Sequence, residues 1–420
     1  MGTYLNPGNE RFLEATRSEI YVDKTEMILF LNKVINTEQK YISISRPRRF
    51  GKSMSANMIC AYYDKSIDSR SIFQAYKIAE TENWDQYMNQ LDVLKLNMID
   101  FLTGSEGIDD MLSYLNEEVT DELREEYPDV KYGKRINLRT VMNKIYSQKG
   151  KKFVIIIDEW DCVFRELAGE EYAKEHKAYL DFLRDWLKDK EYVALAYITG
   201  ILPIKKYGKH SALNMFHEFS MTSCMQLAKY VGFTDDEVRD LCCRYGRDFE
   251  DCRKWYDGYM LNDIIPPNPN YQKQSQNDKE ALPQTYHIYN PLSVVKNVTS
   301  GIIENYWNET ETYEALEKYI SRNYGGLREF VTILMKGERR PVDISSYQND
   351  MTTFHSRDDV LTLLIHLGYL GYDSRKKEVF IPNKEIEAVF RSSTKGKEWG
   401  IYSKHLNNSE AAFAGACFGR

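Results

Sequence analysis

SISRPRRFGKSMS, residues 43–55, is the stretch on which the reading of this chain turns. It ends in Gly51-Lys52-Ser53, a tripeptide that by itself arises by chance in about one chain in five of this length at average composition. The setting carries more weight. An apolar run, YISIS (Tyr41–Ser45), leads into it, and a helical run, SMSANMICAYY (53–63), follows. Strand, loop and helix in that order are what a phosphate cradle requires. Gly51 lets backbone amides approach phosphate oxygens, and Lys52 supplies a cation to the β- and γ-phosphates. Ser53 offers a hydroxyl to Mg²⁺ at the positive end of a helix. Arg46 and Pro47 stand where such a loop normally has its first glycine. Pro47 presets the turn, while Arg46, Arg48 and Arg49 add positive potential around a polyphosphate. The binding loop is therefore read as Arg46, Pro47, Arg48, Arg49, Phe50, Gly51, Lys52, Ser53 and Met54. The competing reading is a basic surface turn.

A second segment, KKFVIIIDEWD (151–161), is an apolar strand ending in Asp158-Glu159. An aspartate at the carboxyl end of a buried strand, beside a phosphate loop, is where Mg²⁺ needs a ligand. Ser53 and Asp158 are thus the expected metal ligands. Glu159 is placed to polarise an attacking water; the plainer alternative is that it pairs with a nearby arginine.

Four apolar runs read as strands buried on both faces: Tyr41–Ser45, Val93–Ile99, Phe153–Ile157 and Tyr192–Thr199. Helical segments separate them, among them Ser53–Tyr63, Ile108–Glu126 and Glu170–Lys188. Strands alternating with helices predict an α/β fold with a mainly parallel sheet, which binds ligands at the carboxyl ends of its strands. After about residue 220 the pattern changes. Thr234-Asp235-Asp236-Glu237 is a capping box opening a helix through Tyr245. DIIPPNPNYQKQSQNDKEALPQ (263–284) lacks periodicity and reads as a mobile insertion within a hairpin. Residues 290–340 are helical in pattern. Arg357–Leu367 is an amphipathic helix, followed by a hairpin in YLGYDSRKKEVFIP and a helix over Lys384–Phe390. Helix, hairpin, helix fits a small winged-helix-like unit, acting as a structural cap or as a nucleic-acid reader. The expected division is an ATPase-type core over 1–220, a helical lid and hairpin over 221–310, and a helical, winged-helix-like region over 311–420.

Bulk properties exclude some functions. A chain of 420 residues is long enough for two or three domains. A net charge of −7 argues against a surface devoted to nucleic acid. The basic clusters Lys205–Lys209 and Arg375-Lys376-Lys377 are local and read as solvated loops. Seven cysteines without a C-x-x-C pair suggest reduced, mostly buried thiols rather than zinc or disulfides. MGTYLNPGNERF is not a signal peptide, and Asn6 spoils a myristoylation site. VALAYITGILPI (193–204) is too short and interrupted to span a bilayer. A bacterial-style cytoplasmic location, away from membranes, is expected.

YVDKTEMI (21–28), SRPRRFGKSMS, IIIDEWD, ITGI (198–201), WYDGYML (255–261) and YNPLSV (289–294) resemble, in that order, the bacterial AAA-ATPase-like family. The likeness covers roughly residues 10–295. Arg-Pro-Arg-Arg in place of the first glycine is that family's own version of the loop, so the departure supports the resemblance. It implies a P-loop NTPase three-layer sandwich with Walker A and Walker B motifs, binding ATP with Mg²⁺ in preference to GTP. A guanine-specific N-K-x-D is not recognisable. In related ATPases a polar group at the end of the next strand senses γ-phosphate, which gives Thr199 that role; threonine is also simply a good strand former. Glu159, Lys52 and Thr199 are accordingly the expected catalytic residues. Tyr21–Thr25 either walls an adenine pocket or packs as an N-terminal segment.

In many members of that family the ATPase precedes a PD-(D/E)XK-type nuclease domain. This sequence ends at Arg420, about where such a domain begins, in the patternless SEAAFAGACFGR. No Asp…Glu-x-Lys trio follows residue 340, so nuclease chemistry is not expected. Three functions remain open: an ATP hydrolase, a nucleotide-gated interaction module with negligible hydrolysis, and a DNA-binding protein acting through residues 357–390. Besides ATP, the partner classes carried forward are DNA, a protein client and a second copy of the chain.

Overall fold

Five strands form a wholly parallel sheet in the N-terminal part of the chain: β1 (Tyr41–Ser45), β2 (Asp92–Asn97), β3 (Phe153–Asp158), β4 (Val193–Gly200) and β5 (His217–Phe219). Their order across the sheet is β2-β3-β4-β1-β5. Every residue of β1, β3 and β4 is buried, as continuous apolar runs covered on both faces demand. The helix Lys52–Tyr63 packs on β2, β3 and β4 and is buried nearly all round, apart from Ser53 and Met54 at its start.

The computed structural model describes residues 2–204, 213–263, 284–307, 316, 319–320, 323–349, 351 and 354–393. These fall into two compact units. The first takes in Met1–Arg46, Gly51–Ser220 and Gln348–Thr352; the second takes in Pro47–Phe50, Met221–Tyr347 and the residues from Thr353 on. The basic cluster Lys205–Lys209, all but the ends of 263–284, Cys417 and the tail SEAAFAGACFGR lie outside the described residues. Among the described residues, no helix is long and apolar enough to cross a membrane.

Three details depart from the sequence reading. The strand expected over Val93–Ile99 stops at Asn97, and a helix, Met98–Thr103, begins there. Asn97 is level with Asp158, the last residue of β3, so beyond it the ladder has no partner. The helix expected over Glu170–Lys188 opens as a 3₁₀ turn, Glu170–Tyr172, before Ala173–Leu187. The pattern across 290–340 is broken after Pro291–Ser300, where Gly301 adopts the left-handed conformation that ends helices.

In the second unit Thr234 and Glu237 cap the helix Asp235–Tyr245 reciprocally. β6 (Phe233–Thr234) leads into that helix, and with β7 (Tyr259–Asp263) and β8 (Gln284–Tyr289) it forms an antiparallel sheet in the order β6-β8-β7. The hairpin read around 263–284 is thus present as the β7–β8 pair. The helix Arg357–Leu367 is capped by Ser356, and β10 (Gly371–Asp373) pairs with β11 (Glu378–Phe380) before the helix Lys384–Ser393. A short strand, β9 (Arg340–Pro341), adds to the far side of β11.

One buried carboxyl ties this unit together. Glu385 Oε1 accepts from the Tyr306 and Trp307 backbone amides at 2.9 and 3.0 Å, and Ser293 Oγ lies 3.0 Å from both its oxygens. Ser293 belongs to YNPLSV, which gives that motif a structural role. Burial pushes the Glu385 carboxyl from 4.5 up to about 7, against the pull of these donors. A group raised on folding stabilises fully below its unfolded pKa and less as pH climbs through the folded one. Wild-type protein should therefore lose stability between pH 4.5 and about 7, by up to about 3 kcal/mol. Glu385→Gln keeps an oxygen for the two amides and an NH₂ for Ser293, so this loss should vanish from its profile. Urea unfolding of both proteins at pH 5 and pH 8 checks it; parallel profiles would rule the assignment out.

Candidate functional site

Parallel register brings three strand ends level. Ile157 of β3 lies beside Ile198 of β4, and Ile44 and Ser45 of β1 lie beside Thr199 and Gly200. Because β4 runs between β1 and β3, Thr199 stands between the loop that follows β1 and the acidic pair that ends β3. This is the carboxyl edge, where open α/β sheets take their ligands.

At that edge Lys52 is buried, and its ammonium donates to the Arg46 carbonyl at 3.1 Å. Burial lowers its pKa, and the negative charges of Glu159, Asp161 and Asp158 oppose that shift. Thr199 Oγ1 lies 3.4 Å from Asp158 Oδ1. The fold thus gathers Lys52, Asp158, Glu159 and Thr199. Ser53 and Met54 are exposed at the start of the helix, and Arg48 and Arg49 are exposed in the loop before it. Gly51 has φ of +90°, a left-handed value that glycine tolerates without strain, and a Cβ there would meet nothing within 4 Å.

Arg46 does not join this group. Its side chain is fully buried and donates to the carbonyls of Ser45 and Phe219, both at 2.9 Å. Its charge therefore holds β1 and β5 ends rather than facing outward with Arg48 and Arg49. Pro47 and Phe50 are buried too, and group with the second unit. There the Phe50 ring meets Tyr259 edge-on at 5.4 Å. Tyr21, one candidate for an adenine wall, instead packs against Phe12 and Tyr76.

Glu159 has φ of 52°, a left-handed backbone at a non-glycine residue. Such strain costs on the order of 1–3 kcal/mol and concentrates at functional sites. Its amide donates to Asp158 Oδ1 at 3.0 Å, and its carboxylate forms an ion pair with Arg165. Burial raises the Glu159 carboxyl, and Arg165 and Lys52 pull it back. The arginine partner that the sequence left as an alternative is therefore present.

Two residues of this cluster escaped the sequence reading. Asp161 is fully buried; its Oδ2 accepts the Ile201 and Leu202 amides at 2.9 and 2.7 Å, fixing the chain as it leaves β4. Arg165, on the helix Cys162–Glu166, lies 3.3 Å from Asp161 and bridges it to Glu159. The available signal was their four-residue spacing, which puts an acid and a base on one helical face. Gly200 makes room for the arrangement, because a Cβ there would strike the Asp161 carboxylate and the Trp160 ring.

Among the described residues no group of three or more His, Cys, Asp or Glu side chains could hold a metal alone. One carboxylate and one hydroxyl nonetheless suit Mg²⁺, which keeps several waters and is commonly bound through one or two carboxylates plus substrate phosphates. A buried ammonium beside them supplies the charge that a polyphosphate needs.

Residues 10–208 match the family model described as a predicted AAA-ATPase. No curated protein matches the chain. Over residues 10–208 the chain is similar to the AAA-ATPase-like family.

Proposed function

We propose that this protein binds ATP with Mg²⁺ at the carboxyl edge of its parallel sheet and hydrolyses it. The observation that supports this most directly is the convergence of Lys52, Asp158, Glu159 and Thr199 on the loop that follows β1. In this reading Lys52 pairs with the β- and γ-phosphates. Arg48 and Arg49 add positive potential from the exposed part of the loop. Ser53 and Asp158 hold Mg²⁺, which when bound neutralises charge developing on the phosphoryl oxygens. Thr199 hydrogen-bonds near the γ-phosphate, and Glu159 orients and deprotonates the attacking water.

The ion pair between Glu159 and Arg165 favours a second reading, a nucleotide-gated interaction module that turns over negligibly. Steady-state ATP hydrolysis by the purified chain separates the two. A cytoplasmic setting and a protein or DNA client belong to the same proposal.

Lys52→Ala should lose at least tenfold in Mg-ATP affinity while retaining the wild-type circular dichroism spectrum, since a charge-assisted contact is worth about 1.5–3 kcal/mol. Undiminished binding in calorimetry would remove Lys52 from the site.

The two acidic neighbours should fail differently. Asp158→Asn should weaken binding only when Mg²⁺ is present. Glu159→Gln should keep ATP bound while single-turnover hydrolysis falls on the order of 10²-fold or more, the scale of a lost general base. Wild-type turnover in Glu159→Gln would make its assignment as the base untenable.

A further inference from the structure

We infer that the second unit carries a phosphate-ester site of its own, in a cleft where Lys254, Lys384, Arg339 and His287 converge. The cleft has a volume of about 380 Å³, within the range of small-molecule pockets. One wall is the end of the helix Phe249–Tyr256 with Asp257 and Gly258, continued by Met260 and His287, which face each other across β7 and β8. The other walls are the turn after the helix Leu327–Met335 and the stretch from Phe380 to Lys384. Gly258 brings the walls together: it has φ of +128°, and the Pro382 carbonyl occupies the place a Cβ would take.

The charges in this cleft are unequally matched. Each carboxylate in the lining has its own cation. Asp257 holds His287 Nδ1 at 2.9 Å, Glu338 holds Arg340 at 2.6 Å, and Glu387 holds Arg391 at 2.7 Å. Neither Lys254 nor Lys384 forms an ion pair among the described residues. They stand close enough for the Lys254 ammonium to be the main influence lowering the Lys384 pKa. Two like charges directed at one cavity repel, and an anion between them relieves the repulsion. Arg339 lies with its guanidinium 4.0 Å over the Phe380 ring, and Asp373 is 3.6 Å away. Asp257 is engaged at Nδ1 of His287, which leaves the other ring nitrogen for a ligand. Phe380, Met260, Leu334 and Met335 provide apolar surface beside these cations. Phosphate carried on a sugar or nucleotide fits that combination better than a bare carboxylate, because it spreads two or more oxygens over several donors. The motif WYDGYML, whose Tyr259 packs on Phe50, would then supply Asp257 and Gly258 to this second site.

The test uses the full chain and three probes at low ionic strength: inorganic phosphate, a 5′-phosphorylated tetrathymidylate and the same tetranucleotide without its 5′-phosphate. Lys254→Ala/Lys384→Ala should bind the phosphorylated tetranucleotide about tenfold or more weakly than wild type. It should retain wild-type Mg-ATP affinity, whereas Lys52→Ala should do the reverse, so each site can fail without the other. Lys254→Arg/Lys384→Arg should restore binding, which a merely structural role for the lysine stems would not require. Preference for the 5′-phosphate indicates a terminal monoester. Equal binding without it indicates an internal diester, and competition by inorganic phosphate indicates that the phosphate group suffices. Any of these supports the site if it depends on the two lysines. Affinity unchanged in the double alanine variant, or no binding of any probe by wild type, overturns it.

Discussion

Backbone pairing of β4 to β1 on one side and to β3 on the other is the constraint from which the site follows. Parallel strands in a shared register end together, and here the shared ends carry Thr199, Asp158 and the loop after Ser45. No residue of the cluster has to be carried in on a long excursion. The chain then turns sharply at each end, and those turns set the side chains. Left-handed backbone at Glu159 and Gly51 bends two of the three exits, and Asp161 holds the third by its amides. Such fixed turns keep charged groups ordered before any ligand arrives, which is the condition under which electrostatic stabilisation is strongest.

Burial of an ammonium group is costly unless opposite charge stands near it. Lys52 meets that condition because three carboxylates surround it, and Arg165 in turn balances two of them. The cluster is thus close to internal compensation, with two acids and two bases held at the sheet edge beside Asp158. Its members are coupled, and removal of one would redistribute charge over the rest.

Much of this was legible from residue order. Continuous apolar runs announced three of the strands to within a residue, and Gly-Lys-Ser after YISIS announced the loop. The capping pairs Thr234/Glu237 and Ser356/Asp359 marked two helix starts, although only the first was read as such. The rest was hidden for physical reasons. β5 is three residues long and carries His217 and Glu218, so it has no apolar pattern to betray it. Arg46 looked like a phosphate ligand because its charge is visible in sequence, whereas its burial depends on β5. The partner of Glu159 sits on a five-residue helix, too short to leave a periodicity. The lysine pair at 254 and 384 joins segments 130 positions apart, and nothing local relates them.

Gly200 contributes to the sheet edge through atoms that it lacks. The Asp161 carboxylate and the Trp160 ring already fill the space in which any other residue would carry its first side-chain carbon. Even a methyl group would push Asp161 off the Ile201 and Leu202 amides, and through Arg165 would loosen Glu159. The position is therefore intolerant of the smallest possible change in volume although it bears no chemical group. An alanine at this position would act by crowding alone, through a volume that glycine leaves to its neighbours.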